Sequence, residues 1–415
     1  MPRRAIALAA QAAAVPEHLR QRALSVADDA QLPQIPVRSP TRHPFLYRKR
    51  LGTFDRRARH GDLVQLVLDT GEIFGYGLFN PRAEITVRLL TLGEELPREE
   101  WWSAALAEAI ALRRDTLQLD KVTNAYRLVH AEGDGIPGFV ADRFGDIVSI
   151  EVFSLAMYQR VDALAPLLAE MCGAKHWVIR TAPQSLEHEG FAAEPYGSPG
   201  QPGHATIEEF GTRFRVDFSQ GHKTGFFCDQ RDNRRDAAAL CGGKTVLDAC
   251  CYTGGFSVQA SVLGQAREVT GVDLDETAIE TARTNAKLNR KQIRYVHADV
   301  FPYLRDMQRN DRSYEVVILD PPKFVRSRDE FEEGKQKYFD LNRLAMQLVA
   351  PGGWLVTCTC SGLMSARDFQ QTVSAAVPGD RRARILNRTG AAADHPIAAN
   401  CLETEYLQVL WLKLD

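Results

Sequence analysis

The chain reads as an α/β protein. A Rossmann-like domain on a mostly parallel sheet occupies the C-terminal half, preceded by a small β-rich domain and a middle α/β domain. Three observations predict this. Short apolar runs alternate with helix-spaced segments beyond residue 245, the pattern of strand–helix–strand crossovers. Successive runs there end in acidic or thiol-bearing residues, which a parallel sheet gathers on one edge. Residues 38–92 and 126–218 instead carry short β runs separated by turn signals.

The first crossover is the most informative. Val246 and Leu247 close an apolar run, Asp248 follows, and Gly254 and Gly255 open a segment with helical apolar spacing from Phe256 onward. Strand, acidic end, glycine turn and helix form the entry to a nucleotide-binding domain. Glycine there lets backbone approach a cofactor closely. A dinucleotide site would read G-x-G-x-x-G. Cys250-Cys251-Tyr252-Thr253-Gly254-Gly255-Phe256 does not, which points to another adenosine cofactor, S-adenosylmethionine. Asp248, Tyr252, Gly254, Gly255 and Phe256 are the expected contacts from this segment.

The following strands extend the pattern. Glu268 to Val272 ends at Asp273, a carboxylate suited to both ribose hydroxyls. Arg294 to His297 leads to Asp299, placed for the adenine amino group or for capping the helix that holds Tyr303 and Leu304. Tyr314 to Leu319 is nearly all apolar, as in a strand covered on both faces, and ends in Asp320-Pro321-Pro322-Lys323-Phe324. The prolines force an extended path, so Asp320 is not an ordinary cap and a functional role is expected. Trp354 to Thr357 ends in Cys358-Thr359-Cys360-Ser361-Gly362.

Composition sets bounds. The chain has 415 residues, 45% hydrophobic and 25% charged, with net charge −2, ordinary values for a soluble globular protein of two to three domains. No apolar run approaches the ~20 residues that span a bilayer. Ala5 to Val15 is interrupted by Gln11 and rich in alanine, which argues against a secretion signal. Eight cysteines lack a disulfide or metal-ligand spacing, so reduced thiols, a cytoplasmic location and no metal are expected. Residues 1–60 hold twelve Lys and Arg against four acids, a phosphate-contacting surface or a solubilising tail.

The domains expected are an extension over 1–37, loosely ordered or one helix; a β domain over 38–97; a connecting helix within 98–125; a middle α/β domain over 126–203; and residues 204–415, led by a hairpin. Leu63 to Leu68 and Phe74 to Phe79 read as a hairpin, with Ile85 to Leu90 another strand. Glu99 to Leu117 is amphipathic, with Trp101 and Leu106 on its packing face. Gly197 to Gly203 reads as a linker and Ala205 to Phe218 as a hairpin.

Four motifs carry a resemblance: Gln220 to Arg234 (QGHKTGFFCDQRDNR), the CYTGGF loop, Asp320-Pro-Pro-Lys-Phe, and Thr359-Cys360-Ser361-Gly362-Leu363-Met364. Over residues 38–415 the chain resembles the bacterial ribosomal-RNA large-subunit methyltransferase I family and its archaeal relatives. The resemblance implies a PUA domain, a middle α/β domain and a Rossmann-like methyltransferase domain. It further implies transfer of a methyl group from S-adenosylmethionine to carbon 5 of a ribosomal-RNA cytosine. Lys223, Thr224, Phe227, Gln230 and Arg231 resemble cofactor-lid positions, and Cys360 matches the nucleophile position.

That chemistry needs a thiolate. Carbon 5 of cytosine is a poor nucleophile until a thiolate adds at carbon 6. Cys358 shares the face of Cys360 but sits about 7 Å deeper. A buried free cysteine is also a small hydrophobe, the structural alternative for Cys360. Asp320 would bond the cytosine edge, and it or a bound water would be the base. Lys323 would contact phosphate or lower the thiol pKa. Two other readings stay open: an amino-group methyltransferase using Asp-Pro-Pro-Lys without a thiol, and a noncatalytic RNA-binding protein. Ribosomal RNA is the expected partner, a membrane is not, and the state is open between monomer and homodimer.

Overall fold

The computed structural model describes residues 16–27, 30–218 and 225–415. The first unit is a five-stranded sheet. Gln34–Pro36 pairs in parallel with Leu63–Val67, which continues antiparallel through Ile73–Phe79 and Ile85–Leu92 to Phe45–Tyr47. Alternation places Ile35, Leu46, Val64, Leu66 and Val87 in its core. Gln34–Pro36 thus belongs to this sheet, although residues up to 37 read as an extension. Residues 16–27 are docked as well. Leu24 is buried and its carbonyl accepts the Trp102 indole N–H at 3.1 Å. The part of the extension over 1–15 lies outside the described residues.

The connecting helix Glu99–Ala111 buries Trp102 and Leu106, whereas Trp101 is only partly covered. The helix then widens into a π turn, Leu112–Thr116. That turn carries the wholly buried Arg113 to Asp134 and to the Asp394 carbonyl, so the irregular turn serves a domain junction.

The middle domain is a sheet of Ala125–His130, Phe139–Phe144, Ile147–Val152, His176–Thr181 and Tyr196–Gly197, with helix Val161–Cys172 crossing over to its one parallel pair. Tyr196–Gly197 pairs with His176–Thr181, so the expected linker begins as an edge strand.

The hairpin His204–Glu209 and Thr212–Asp217 leads into the C-terminal domain. A bidentate, buried pair fixes it: Arg234 donates to Glu209 at 2.8 and 2.6 Å. The C-terminal sheet has strands β1 (Thr245–Ala249), β2 (Glu268–Asp273), β3 (Arg294–His297), β4 (Tyr314–Leu319), β5 (Val349–Thr359), β6 (Ala383–Thr389) and β7 (Gln408–Leu414). Their order is β3-β2-β1-β4-β5-β7-β6, and β7 alone runs antiparallel. Reversal of order beside β1 makes a crevice at the carboxyl ends of β1 and β4. The two faces are covered by separate apolar layers, one around Val317, Leu341 and Phe369, the other around Val246, Phe256 and Val356.

Domains meet through side chains. Arg231 Nη1 and the Arg127 N–H both donate to Asp394 Oδ2 at 2.9 Å. On the β domain, His43 Nε2 faces Glu403 at 3.1 Å, with the Cys401 thiol beside it. His43 Nδ1 accepts the Phe45 N–H, so in the neutral ring Nε2 carries the hydrogen. A metal ligand would need that lone pair free, so the trio reads as an interdomain contact.

Candidate active site

The glycine loop is held by more bonds than its conformation alone would earn. Cys250 (φ 63°) and Tyr252 (φ 47°) lie in the left-handed region, as does Gly254 (φ 80°). Such non-glycine geometry costs on the order of 1–3 kcal/mol each and persists only when overdetermined. Here the Cys251 N–H donates to the Val272 carbonyl at 3.0 Å and the Tyr252 N–H to Asp273 Oδ2 at 2.7 Å. Asn285 Nδ2 holds the Thr253 carbonyl at 2.9 Å. A Cβ on Gly254 would stand 2.5 Å from Tyr295 Oη, so the protein's own packing already requires glycine. On Gly255 it would meet Arg234 Cδ at 3.1 Å.

The acidic residues divide by placement. Asp273 is half-buried and accepts a second backbone N–H, that of Asp275, at 2.9 Å. Each of its oxygens keeps another lone pair. Asp248 lies under the loop, wholly buried, with Oδ2 accepting the N–H and hydroxyl of Ser257. Burial pushes its carboxyl up to about 7. Asp299 is exposed and caps helix Val300–Arg309, accepting the Phe301 N–H at 2.8 Å. The Phe256 ring sits in the apolar layer with Val246 and Val269.

Phe227 and Tyr252 come together edge-on, ring centroids 5.2 Å apart, over the loop. Gln230 and Arg231 follow on the same segment but are buried, Arg231 in its pair with Asp394. Lys223 and Thr224 lie outside the described residues.

The loops after β4 and β5 are tied to each other. The Val325 N–H donates to Ser361 Oγ at 3.2 Å, and Tyr338 Oη lies 2.9 Å from the same hydroxyl. This joins the segment beginning at Asp320 to the turn that carries Cys360. Cys360 is partly exposed; Cys358, two residues earlier, is wholly buried, and burial pushes its thiol well up. The Asp320 N–H reaches the Ala249 carbonyl at 3.3 Å, so the chain leaving β4 stays beside the end of β1. Burial first, then Asp229 and Asp248, raise the Asp320 carboxyl to about 7. Lys323 is exposed. Phe324 is engaged elsewhere, 4.9 Å from the Tyr338 ring.

Sequence reasoning missed Asp229, which accepts from Tyr406 Oη at 2.6 Å, and Asp394 at the domain junction. Asp229 lies within a motif already noted, but its partner is 177 residues away.

A parallel sheet with this strand order, a pinned glycine loop and carboxylates at its crevice defines an S-adenosylmethionine-dependent methyltransferase. The family model of that description matches residues 127–381, and a PUA-like model matches 39–92. The chain is 35% identical over 374 residues to ribosomal RNA large subunit methyltransferase I of Aliivibrio fischeri, covering 88% of this chain and 94% of that one. It is 36% identical over 378 residues to the Shewanella amazonensis protein of the same name, covering 89% and 94%. Among solved structures, a Streptococcus mutans chain described as a SAM-dependent methyltransferase superposes with TM-score 0.76 at 21% identity, covering 92% and 99%. Another, described as a methyltransferase complexed with SAH, gives 0.75 at 22%, covering 90% and 96%. The chain belongs to the ribosomal RNA large subunit methyltransferase I family.

Proposed function

We propose that this protein methylates carbon 5 of a cytosine in large-subunit ribosomal RNA, with Cys360 as nucleophile. The observation that carries the reading is the partly exposed Cys360 in a turn tied through Ser361 to the loop of Asp320. The donor set fits the cofactor: Asp273 has lone pairs to spare for ribose hydroxyls, the loop backbone of Tyr252 to Gly255 would face the methionine portion, and Phe227 with Tyr252 would supply aromatic surface. Bound there, S-adenosylmethionine supplies an electrophilic methyl group.

The chain's residues then divide the work. The Cys360 thiolate adds to carbon 6 of the base, which makes carbon 5 nucleophilic. Asp320, poised near neutrality, hydrogen-bonds the base edge and supports proton gain at N3 during that addition. After methylation a base, Asp320 or a water it holds, removes the carbon-5 proton. The electrons return to expel the thiolate, and N3 gives back the proton it gained. Lys323, exposed beside this loop, would meet a phosphate. Arg38, Arg42, Arg48, Lys49, Arg56 and Arg59 are exposed on the β domain and would contact the RNA backbone. Phe324 packs on Tyr338, which speaks against base stacking by an amino-group methyltransferase.

Cys360→Ser tests this. Turnover should vanish while calorimetry shows S-adenosylmethionine binding nearly unchanged; undiminished turnover refutes the assignment.

A further inference from the structure

A groove of about 410 Å³ lies between helix Ala366–Ala375 and the outer strands β6 and β7. Its floor is Phe369 and Leu410, and Arg367, Gln370, Arg388 and Gln408 stand around it. Two connections bring it to the Cys360 turn. Gln408, the first residue of β7, pairs with Thr359 at the end of β5, next to Cys360. The helix begins just after the same turn, which the Met364 N–H closes onto the Ser361 carbonyl at 2.8 Å. Cys358 and Cys360 belong with the apolar layer of Val246 and Val356, whereas Phe369 and Leu410 belong to the opposite layer. The groove and the thiols therefore lie on opposite faces of the sheet and share its rim.

The charge of the groove is one-sided, with two arginines and no acid in its lining. Asp368, on the first turn of the helix, is engaged in the cap: Ser365 Oγ accepts the Asp368 N–H at 3.1 Å and donates to Asp368 Oδ2 at 2.5 Å. Arg388 donates through Nε to Gln370 Oε1 at 2.9 Å, which leaves both Nη groups for a ligand. Neither Arg367 nor Arg388 has an ion-pair partner among the described residues. Because Arg388 only donates, the Gln370 amide keeps its NH2 group available. Gln408 Nε2 donates to Glu405 at 3.0 Å, so its own carbonyl oxygen remains as an acceptor. Two guanidinium charges, an amide donor and an amide acceptor over an apolar floor match a nucleotide, the arginines meeting a phosphate and the amides a base edge. The volume falls in the range of about 300–1,000 Å³ usual for such sites.

We propose that this groove holds the RNA strand beside the target cytosine, taking a flanking nucleotide with its phosphate between Arg367 and Arg388. The placement rests on the reading of Cys360 as the nucleophile. A cytosine presented to that thiol on one face lets the adjoining strand cross the rim of β5 and enter the groove on the other. Single-stranded RNA is recognised in this way, with its bases splayed apart and their edges read singly. Neither arginine touches the reacting atoms. Both are positioning residues, so their loss should appear in KM rather than in kcat.

The experiment follows filter binding across a salt series, together with methylation kinetics, on a ribosomal RNA fragment that wild type methylates. Arg367→Ala and Arg388→Ala should each weaken binding and raise KM by roughly three- to tenfold, with kcat and S-adenosylmethionine affinity kept. Each should also make the plot of log K against log salt shallower by about 0.7, the share of one phosphate contact on a single strand. Arg388→Lys keeps the charge and should recover part of the loss. Arg382→Ala removes an exposed arginine at the opposite end of β6 and should change neither quantity. Unchanged affinity and slope in both groove variants, or an equal loss in Arg382→Ala, overturns the inference. A benzophenone side chain in place of Gln371, exposed in the groove lining, gives a second readout. On irradiation it should mark nucleotides adjoining the methylated cytosine, and absence of a mark there overturns the inference. Filter binding needs no turnover, so it is independent of the thiol. Full turnover in Cys360→Ser would overturn the nucleophile reading, while the arginine variants decide the RNA contact separately.

Discussion

Asp248 and Ser257 are joined twice, because one carboxylate oxygen of Asp248 accepts both the backbone N–H, at 2.8 Å, and the hydroxyl of Ser257. The pair clamps the end of β1 to the first turn of helix Gly255–Val262, beneath the glycine loop. The other oxygen is buried with no hydrogen-bond partner among the described residues, and burial makes ionisation unfavourable there.

A pH dependence of stability follows. The folded carboxyl titrates near 7 against 3.8 for the unconstrained group. The native state therefore holds a proton that the unfolded state releases. The contribution is complete below about pH 4, declines as pH rises toward 7, and is flat beyond. Its slope reaches about 1.4 kcal/mol per pH unit. Asp320 adds a similar slope. Asp248→Asn keeps an acceptor for Ser257 and should roughly halve the fall in denaturant midpoint between pH 5 and 7. An unchanged fall would show that Asp248 does not titrate there.

Gly254→Ala should destabilise the protein by about 1–3 kcal/mol and weaken cofactor binding, through positive φ and contact with Tyr295 Oη. Tyr295→Phe removes the opposing oxygen and should recover part of that loss in a double-mutant cycle. Strict additivity in thermal unfolding would reject the contact as the cause.

Removing Arg234 strands Glu209 in the interior. Arg234→Met should cost about 3–5 kcal/mol in chemical denaturation, because the abandoned carboxylate stays buried. Replacing both partners by apolar residues should cost less. A single-variant loss below about 1 kcal/mol would mean the hairpin is held by its apolar contacts alone.

The two neighbouring thiols should differ in reactivity. Iodoacetamide near pH 7.5 should label Cys360, partly exposed, well before Cys358, which is wholly buried with its thiol pushed up. Peptide mass mapping reads the order, and prior labelling of Cys358 would contradict the geometry.

Much of this arrangement was legible in residue order because parallel strands deliver their carboxyl ends to one edge. Asp273 and Asp320 fall at strand ends as expected, on strands Glu268–Asp273 and Tyr314–Leu319, whereas the preference for Cys360 over Cys358 came from the family resemblance. What escaped had a physical reason. Ala383–Thr389 is an exposed edge strand with little apolar alternation. Trp102 displaced Trp101 from the packing face since its indole N–H finds the Leu24 carbonyl, a partner 78 residues away. Arg231 lies beside cofactor-lid residues in sequence, yet Asp394 draws its guanidinium into the domain junction. Asp248 lies one residue before the end of its strand, and alternation turns its side chain inward, beneath the loop.

The most direct test of Cys360 as nucleophile uses RNA whose target cytosine carries fluorine at carbon 5, incubated with the protein and S-adenosylmethionine. Fluorine cannot leave as the proton does, so the thiol adduct cannot resolve. A protein–RNA complex that survives denaturing electrophoresis should form with wild type and Cys358→Ser and be lost in Cys360→Ser. Methylation of ordinary RNA with no trapped complex from the fluorinated one, or a complex that persists in Cys360→Ser, would contradict it.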